Sequence, residues 1–322
     1  MMDLRLASLA VAIASRCLYT RAIACPPVPK AAPPVRDKTV LQIKLLAPAL
    51  SVALVASACT IAPRVVAPAT PNEVGELRAG TGILKGYLAP AELPDSLVLL
   101  PPPPADGSPA LAADTAAFQN LTNLQGTARG AMAVSDANLR FPEAATVFSC
   151  ALGVQISEQA TPNLNMLLRR TLTDTALATY KAKDRYVRTR PFVMFKTGTC
   201  TPKEEASLAR DGSYPSGHSA IGWGWALVLT ELAPDRANAL LGRGRAFSQS
   251  RGICGVHWQS DIEAGRLVGS ATVARLHANP VFNAQMAAAR EEITKASAVR
   301  TPPATACTAE AATIAGSSSS AP

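Results

Sequence analysis

Three separated clusters in this 322-residue chain carry residue types that could work on one oxyanion. In KDRYVRTRP, Lys183 is followed after six residues by Arg190 and Pro191. Pro215, Ser216, Gly217 and His218 stand next to each other, just ahead of the apolar run AIGWGWALVL. In SRGICGVHWQSD, Ser250 and Arg251 are followed after five residues by His257, and after three more by Asp261. Lys183, Arg190 and Arg251 supply three cations. Ser216 and Gly217 fall at a predicted helix start, where free N–H groups and the helix dipole favour an anion. His257 and Asp261 are four residues apart, so they share a face if both lie in one helix or its first turn. The carboxylate then accepts a hydrogen bond from one ring nitrogen and leaves a lone pair on the other. That is how a nucleophilic or basic histidine is oriented.

Each piece alone has a plainer reading. A basic helix is usually a solvated face. Ser-Gly before a helix is ordinary capping. A His–Asp pair at four-residue spacing can simply support a helix by a few tenths of a kcal/mol. His277, third of the three histidines, falls at a helix C-terminus before Asn279-Pro280, where a cation suits the dipole. It stays outside the site.

The elements that must position these residues read as helices. Residues 99–110, LLPPPPADGSPA, cannot be helix interior. From about 111 the pattern is helical, with one segment over about 163–188 carrying Leu167, Leu168, Leu172 and Leu177. A second helix is predicted over about 216–232, stopped by Pro234. A third starts near Asp235, a fourth spans about 258–277 and a fifth about 281–296. Gly265, Gly269 and Ser270 make one side of the fourth helix small enough for close approach. Leu267, Val268, Ala271 and Ala274 are expected to supply its core surface. Convincing alternating strands are absent, so an all-α bundle is expected. Residues 59–85 read as a linker, 86–295 as the catalytic domain, and 296–322 as a small, polar, disordered tail.

Composition narrows the partners. Of the net charge of +8, most sits before Cys59, where seven Lys/Arg face two Asp/Glu; afterwards 24 face 21. No basic run or basic–aromatic interleaving supports a nucleic-acid surface. Residues 1–58 read as a leader. Lys44 precedes LLAPALSVALVASA, which ends in a small-x-small cleavage pattern at Ala56-Ser57-Ala58. At fourteen residues this run is short for a membrane span, which needs roughly 20. Translation from near Val40 would give a compact signal sequence; the alternative is a true long leader or a first signal over 4–14. ASAC also loosely resembles a lipoprotein cleavage box with Cys59 as the lipidated residue. Either way the expected location is periplasmic or extracellular. Cys17 and Cys25 would leave with the leader, and Cys59, Cys150, Cys200, Cys254 and Cys307 would remain. No CxxC spacing suggests a zinc cluster.

Taken jointly, the clusters resemble the type 2 phosphatidic acid phosphatase superfamily, whose signature is KxxxxxxRP, PSGH and SRxxxxxHxxxD. All the fixed residues are present, in order. More closely, the chain is similar to the bacterial class A non-specific acid phosphatases, from about Leu88 to Ile293. The resemblance includes LLPPPPA (99–105), DGSYPSGHSAIGW (211–223), QSRGICGVHWQSD (249–261) and LHANPVF (276–282). It implies an all-helical fold of the acid phosphatase and vanadium haloperoxidase type. It also implies a cofactor-free, metal-independent hydrolysis of small-molecule phosphate monoesters. Carried over residue by residue, it makes His257 the nucleophile that forms a phosphohistidine, and Asp261 its orienting group. His218 protonates the leaving alcohol and then activates water. Lys183, Arg190 and Arg251 bind the phosphate oxygens with Ser216 and the Gly217 N–H. Cys200 and Cys254 both fall in family-like segments, where either a disulfide or two buried thiols would fit.

Elementary chemistry agrees with this implication. Phosphoryl transfer depends mainly on positioning and charge stabilisation, and three fixed cations can supply the charge. The two histidines need opposite protonation states, His257 neutral and His218 charged. Asp261 should raise the pKa of His257 and the cations should lower it, while a bound phosphate dianion favours charged His218. A mildly acidic optimum follows if protonated His218 is limiting. The competing readings are a vanadate-dependent haloperoxidase, a lipid phosphatase, and a phosphate-binding protein without turnover. Pure binding needs no oriented nucleophile, and no second apolar run of 18 or more residues exists to make a multi-spanning lipid enzyme. A homo-oligomer is compatible with the sequence.

Overall fold

Prolines open three of the longer helices. In the computed structural model, which describes residues 65–296 and 301–318, α1 (Pro109–Thr122) and α3 (Pro162–Leu177) each begin on a proline. Its fixed φ and missing N–H cost nothing in a first turn. Between them lies α2 (Ala128–Asp136), whose first N–H groups are capped by Thr127 Oγ1. The chain continues through α4 (Tyr180–Tyr186), α5 (Gly217–Leu232), α6 (Ala237–Ile253), α7 (Gln259–Leu276) and α8 (Pro280–Ala296). It ends in α9 (Ala304–Ser318). Among the described residues there is no strand, only an isolated bridge between Glu76 and Leu84. The fold is all-α, as the sequence implies. The stretch read as a leader, with Cys17 and Cys25, and the Cys59 that follows it lie outside the described residues.

Helix α5 is the axis of the bundle and packs against α6, α7 and α3, while α8 packs on α3. Its neighbours approach closely because glycines line the contacts. A β-carbon at Gly265 would collide with the carbonyl of Ser216, and one at Gly269 with that of Ala220. The small side of α7 therefore does what its sequence suggests: it lets the helix approach the start of α5 closely. Trp225, Phe148 and Phe247 fill the core beside it, with Trp225 Nε1 donating to the Leu168 carbonyl at 2.8 Å. The core surface of α7 differs from the expectation. Val268 is buried, but Leu267 and Ala274 are exposed and Ala271 is only half-buried. The buried face is Ile262, Gly265, Val268, Gly269, Val273 and Leu276, because the glycines, and not the flanking alanines, face α5.

Three boundaries also differ. The segment read as one helix over 163–188 is split into α3 and α4. Thr179 Oγ1 donates to the Ala176 carbonyl at 2.7 Å, a local bond that competes with the helix ladder at the break. The stretch read as a linker ends docked. Leu84 is buried and its carbonyl accepts from Thr173 Oγ1 at 2.7 Å, and Asp174 accepts from the N–H groups of Tyr87 and Leu88. The tail read as disordered contains α9, which packs on α2 and α6. A disulfide joins its Cys307 to Cys150, and Glu310 Oε1 lies 3.7 Å from Arg243 Nε. Composition near the terminus carries no sign of a cross-link to a residue 157 positions away.

Candidate active site

The first two cations are held by main-chain oxygens. Lys183, in α4, is buried, and its Nζ donates to the Gly212 carbonyl at 2.7 Å. Arg190 is the N-cap of the short helix Pro191–Phe195. Its Nε donates to the carbonyls of Leu208 (2.8 Å) and Asp211 (3.1 Å), and its Nη1 to that of Val256 (3.0 Å). Burial pushes the Lys183 ammonium down to about 8 and lowers the Arg190 pKa as well. The Asp211 carboxylate approaches both groups, with Oδ2 3.1 Å from Arg190 Nη2 and 3.7 Å from Lys183 Nζ.

The third cation is held differently. Arg251 is buried in the last turn of α6, and its Nε and Nη1 find no hydrogen-bond partner. Burial lowers its pKa to about 10. A buried guanidinium with two unsatisfied donors is costly unless something anionic meets it. Together with Lys183 and Arg190, it fits the tridentate charge of a phosphate group. Below Arg251, Asp136 accepts from Ser250 Oγ at 2.6 Å and from both terminal nitrogens of Arg243. Arg129 adds a bond to Ser250 Oγ at 3.0 Å. This buried network pins the end of α2 to α6, and so fixes Ser250 next to Arg251.

His257 lies between Arg190 and Asp261. Its Nε2 is 3.1 Å from Arg190 Nη1, and its Nδ1 is 3.3 Å from Asp261 Oδ2. A guanidinium only donates, so Nε2 carries the lone pair and Nδ1 carries the proton. Whether Asp261 or the cations dominate the histidine is resolved by burial. His257 is held well below the usual imidazole range by desolvation first, then by Arg190, Lys183 and Arg251. It is neutral, the state in which an imidazole keeps a lone pair. The pair does not share a helix face. His257 precedes Trp258, the N-cap of α7, and Asp261 is the third residue of the helix. Asp261 Oδ2 also accepts from the Trp258 N–H at 2.9 Å, so one carboxylate both caps the helix and orients the ring.

At the start of α5, Ser216 Oγ accepts from the Ser219 N–H, and the Ser216 N–H donates to the Asp261 carbonyl at 2.9 Å. That bond ties the second cluster directly to the third. Gly217 is the first residue of the helix, next to His218. His218 Nε2 lies 3.0 Å from the Ala137 carbonyl, so Nε2 carries a proton and Nδ1 is left for other work. Burial, and then Arg251, hold His218 well below its usual range. In the ligand-free molecule both histidines are thus neutral, and the charged His218 expected for acid catalysis needs an anion to offset Arg251. Nearby, Cys200 and Cys254 are disulfide-bonded, and the Cys200 N–H donates to the Cys254 carbonyl. His277 lies outside this cluster, at the C-cap of α7, paired with Glu231 at 3.0 Å.

Sequence reasoning passed over Arg188, Asp114 and Asp211. Arg188 Nη1 donates to Asp261 Oδ1 (2.7 Å) and Ser260 Oγ (2.8 Å), and its Nη2 to Asp114 Oδ2 (2.8 Å). It counterbalances the burial that raises the Asp261 pKa. Arg188 occupied a spacer position in KDRYVRTRP. The available signal was its place two residues before Arg190 in an extended stretch, where side chains alternate. Asp114 had no signal, being distant in sequence and surrounded by alanines. Among the described residues, no group of three or more His, Cys, Asp or Glu is arranged to hold a metal ion, and no helix is long and apolar enough to cross a membrane.

Comparison with known proteins points to one family. The model of the PAP2 superfamily matches residues 164–284, which contain all three clusters. The chain is 45% identical over 210 residues to a non-specific acid phosphatase of Providencia stuartii, covering 65% of this chain and 85% of that protein. A non-specific acid phosphatase of Salmonella typhimurium is 44% identical over 208 residues, 64% of this chain and 83% of its own length. An acid phosphatase of Zymomonas mobilis is 41% identical over 202 residues, 63% and 76% respectively.

Proposed function

Because this chain belongs to the non-specific acid phosphatases of the PAP2 superfamily, and so is a phosphatase acting on phosphate monoesters, we propose that it works through a phosphohistidine at His257 and accepts a broad range of esters. The observation that carries this reading is the state of the His257 ring. Its Nε2 lone pair faces Arg190, while the Nδ1 proton faces Asp261. A group that only bound phosphate would gain nothing from such orientation.

In the first step Nε2 gives up its hydrogen bond from Arg190 Nη1 and attacks phosphorus, the N–P bond forms, and the bond to the ester oxygen breaks. Lys183, Arg190 and Arg251 take the equatorial oxygens with Ser216 and the Gly217 N–H, stabilising charge that grows toward the transition state. The leaving alkoxide takes a proton from His218. Its Nε2–H is engaged by the Ala137 carbonyl, so Nδ1 is the nitrogen left for transfer. The incoming dianion offsets Arg251 and lets His218 hold that proton. In the second step neutral His218 takes a proton from water, oxygen attacks phosphorus, and the N–P bond breaks to release phosphate and restore His257. A mildly acidic optimum follows, since His218 must enter the cycle charged.

The proposal includes export by the leader over residues 1–58, with Cys59 as a candidate lipid anchor. The disulfides Cys150–Cys307 and Cys200–Cys254 support an oxidising compartment. The test of the mechanism is trapping of acid-labile ³²P from a labelled monoester. His257→Ala should abolish both label and turnover with the fold retained by circular dichroism. Label that persists in His257→Ala overturns the assignment.

A further inference from the structure

We propose that Asp211 is a built-in competitor of phosphate, a carboxylate that occupies part of the cation site and limits how tightly phosphate and monoesters are held. The inference rests on the phosphate-site reading above. Asp211 Oδ2 lies 3.1 Å from Arg190 Nη2 and 3.7 Å from Lys183 Nζ, so one carboxylate addresses two of the three cations. Its side chain is 42% exposed, whereas those of Lys183 and Arg190 are 5% and 2% exposed. The carboxylate is therefore the solvent-exposed member of the cluster, in contact with two buried cations.

Positioning of the cations does not depend on this carboxylate. Lys183 Nζ is held by the Gly212 carbonyl at 2.7 Å. Arg190 is held by the carbonyls of Leu208, Asp211 and Val256. These are main-chain oxygens that any side chain at 211 leaves in place. What the Asp211 side chain adds is a negative charge. A phosphate dianion that engages Arg190 Nη2 must displace that charge or stand beside it, and either costs affinity. Arg251 differs: no carboxylate bonds it, two of its donors are buried without a partner, and Glu204 and Asp136 act on it only from a distance. The site thus offers one cation with unbonded donors and two that a carboxylate already meets. For an enzyme whose product is itself an anion of the same kind, weaker holding of phosphate favours release, and tighter ground-state binding does not by itself raise turnover.

The test is equilibrium binding of inorganic phosphate to the purified protein by titration calorimetry, with KM for p-nitrophenyl phosphate as a second readout. Asp211→Asn keeps the size and main-chain carbonyl and removes the charge. It should bind phosphate roughly fivefold more tightly, the scale of a half-exposed ion pair, and KM should fall with it. Asp211→Ser, a second neutral variant, should move both quantities in the same direction, and Asp211→Glu should stay near the parent. If phosphate binds the parent protein but binds Asp211→Asn equally or more weakly, the carboxylate is a support for the cations and this inference is overturned alone. If the parent protein does not bind phosphate at all, the phosphate-site reading is overturned and this inference falls with it.

Discussion

Replacing Arg188 by methionine tests whether one buried cation keeps Asp261, the carboxylate bonded to His257, ionised. The side chain bonds Asp261 Oδ1 at 2.7 Å, Asp114 Oδ2 at 2.8 Å and Ser260 Oγ at 2.8 Å, and all three charged groups are buried. Removing one member of a buried ion pair costs about 3–5 kcal/mol, because the other charge is left uncompensated. Here two carboxylates are left, but each keeps other donors: Trp258 N–H for Asp261, and the N–H and hydroxyl of Ser260 for Asp114. The expected loss is therefore at the low end, about 3 kcal/mol. For a chain of this size that lowers Tm by roughly 6–12 °C.

The loss should depend on pH with a definite sign. Burial already raises the folded-state pKa of Asp261 above its unfolded value, and Arg188 is the strongest opposing influence. A group that binds its proton more tightly when folded makes stability fall as pH rises through the folded pKa. Without Arg188 that pKa moves higher still, so the deficit should grow as pH rises. Turnover should fall by between about 10-fold and the roughly 10⁴-fold loss seen when an orienting carboxylate is replaced outright. Scanning calorimetry from pH 5 to 8, with single-turnover kinetics, measures both. Adding Asp114→Asn removes one excess anion and should restore part of Tm without restoring turnover. A deficit that does not vary with pH, or a double variant that regains turnover, would refute the reasoning.

His218→Ala should slow hydrolysis of glycerol phosphate far more than phosphoenzyme formation from p-nitrophenyl phosphate, since only the alkoxide needs the proton, by about 10²–10⁴-fold; rapid-quench assays should also show the phosphoenzyme accumulating, and equal losses without a trapped intermediate would leave His218 as a ligand only. With Lys183, Arg190 and Arg251 supplying the charge, EDTA should leave activity intact and vanadate should inhibit competitively; activity lost to chelation and restored by Mg²⁺ or Zn²⁺ would contradict this. Cys307→Ser should free α9 at a cost of about 2–4 kcal/mol in stability while turnover persists, read by calorimetry and by faster proteolysis within 304–318.

The candidate-site residues could be picked out in the sequence because their chemistry is local in type and spacing. Lys183 and Arg190 fall on either side of one turn, Ser216 and Gly217 at one helix start, and His257 and Asp261 within one cap. Helix α5 could be placed from Ser216 and Pro234, because capping and ring closure act within a few residues. Tertiary structure alone decided how the clusters are tied together. The bond from Ser216 N–H to the Asp261 carbonyl, and the bond from His218 to the Ala137 carbonyl, join residues that no spacing relates. The same holds for Asp114, which reaches Ser260 and Arg188 across the bundle, and for α9, which is joined through Cys307 to Cys150. That both histidines are neutral without a bound anion was not legible in sequence either. It depends on how much water is excluded around each ring and how near Arg190 and Arg251 come, and both are set by packing in three dimensions.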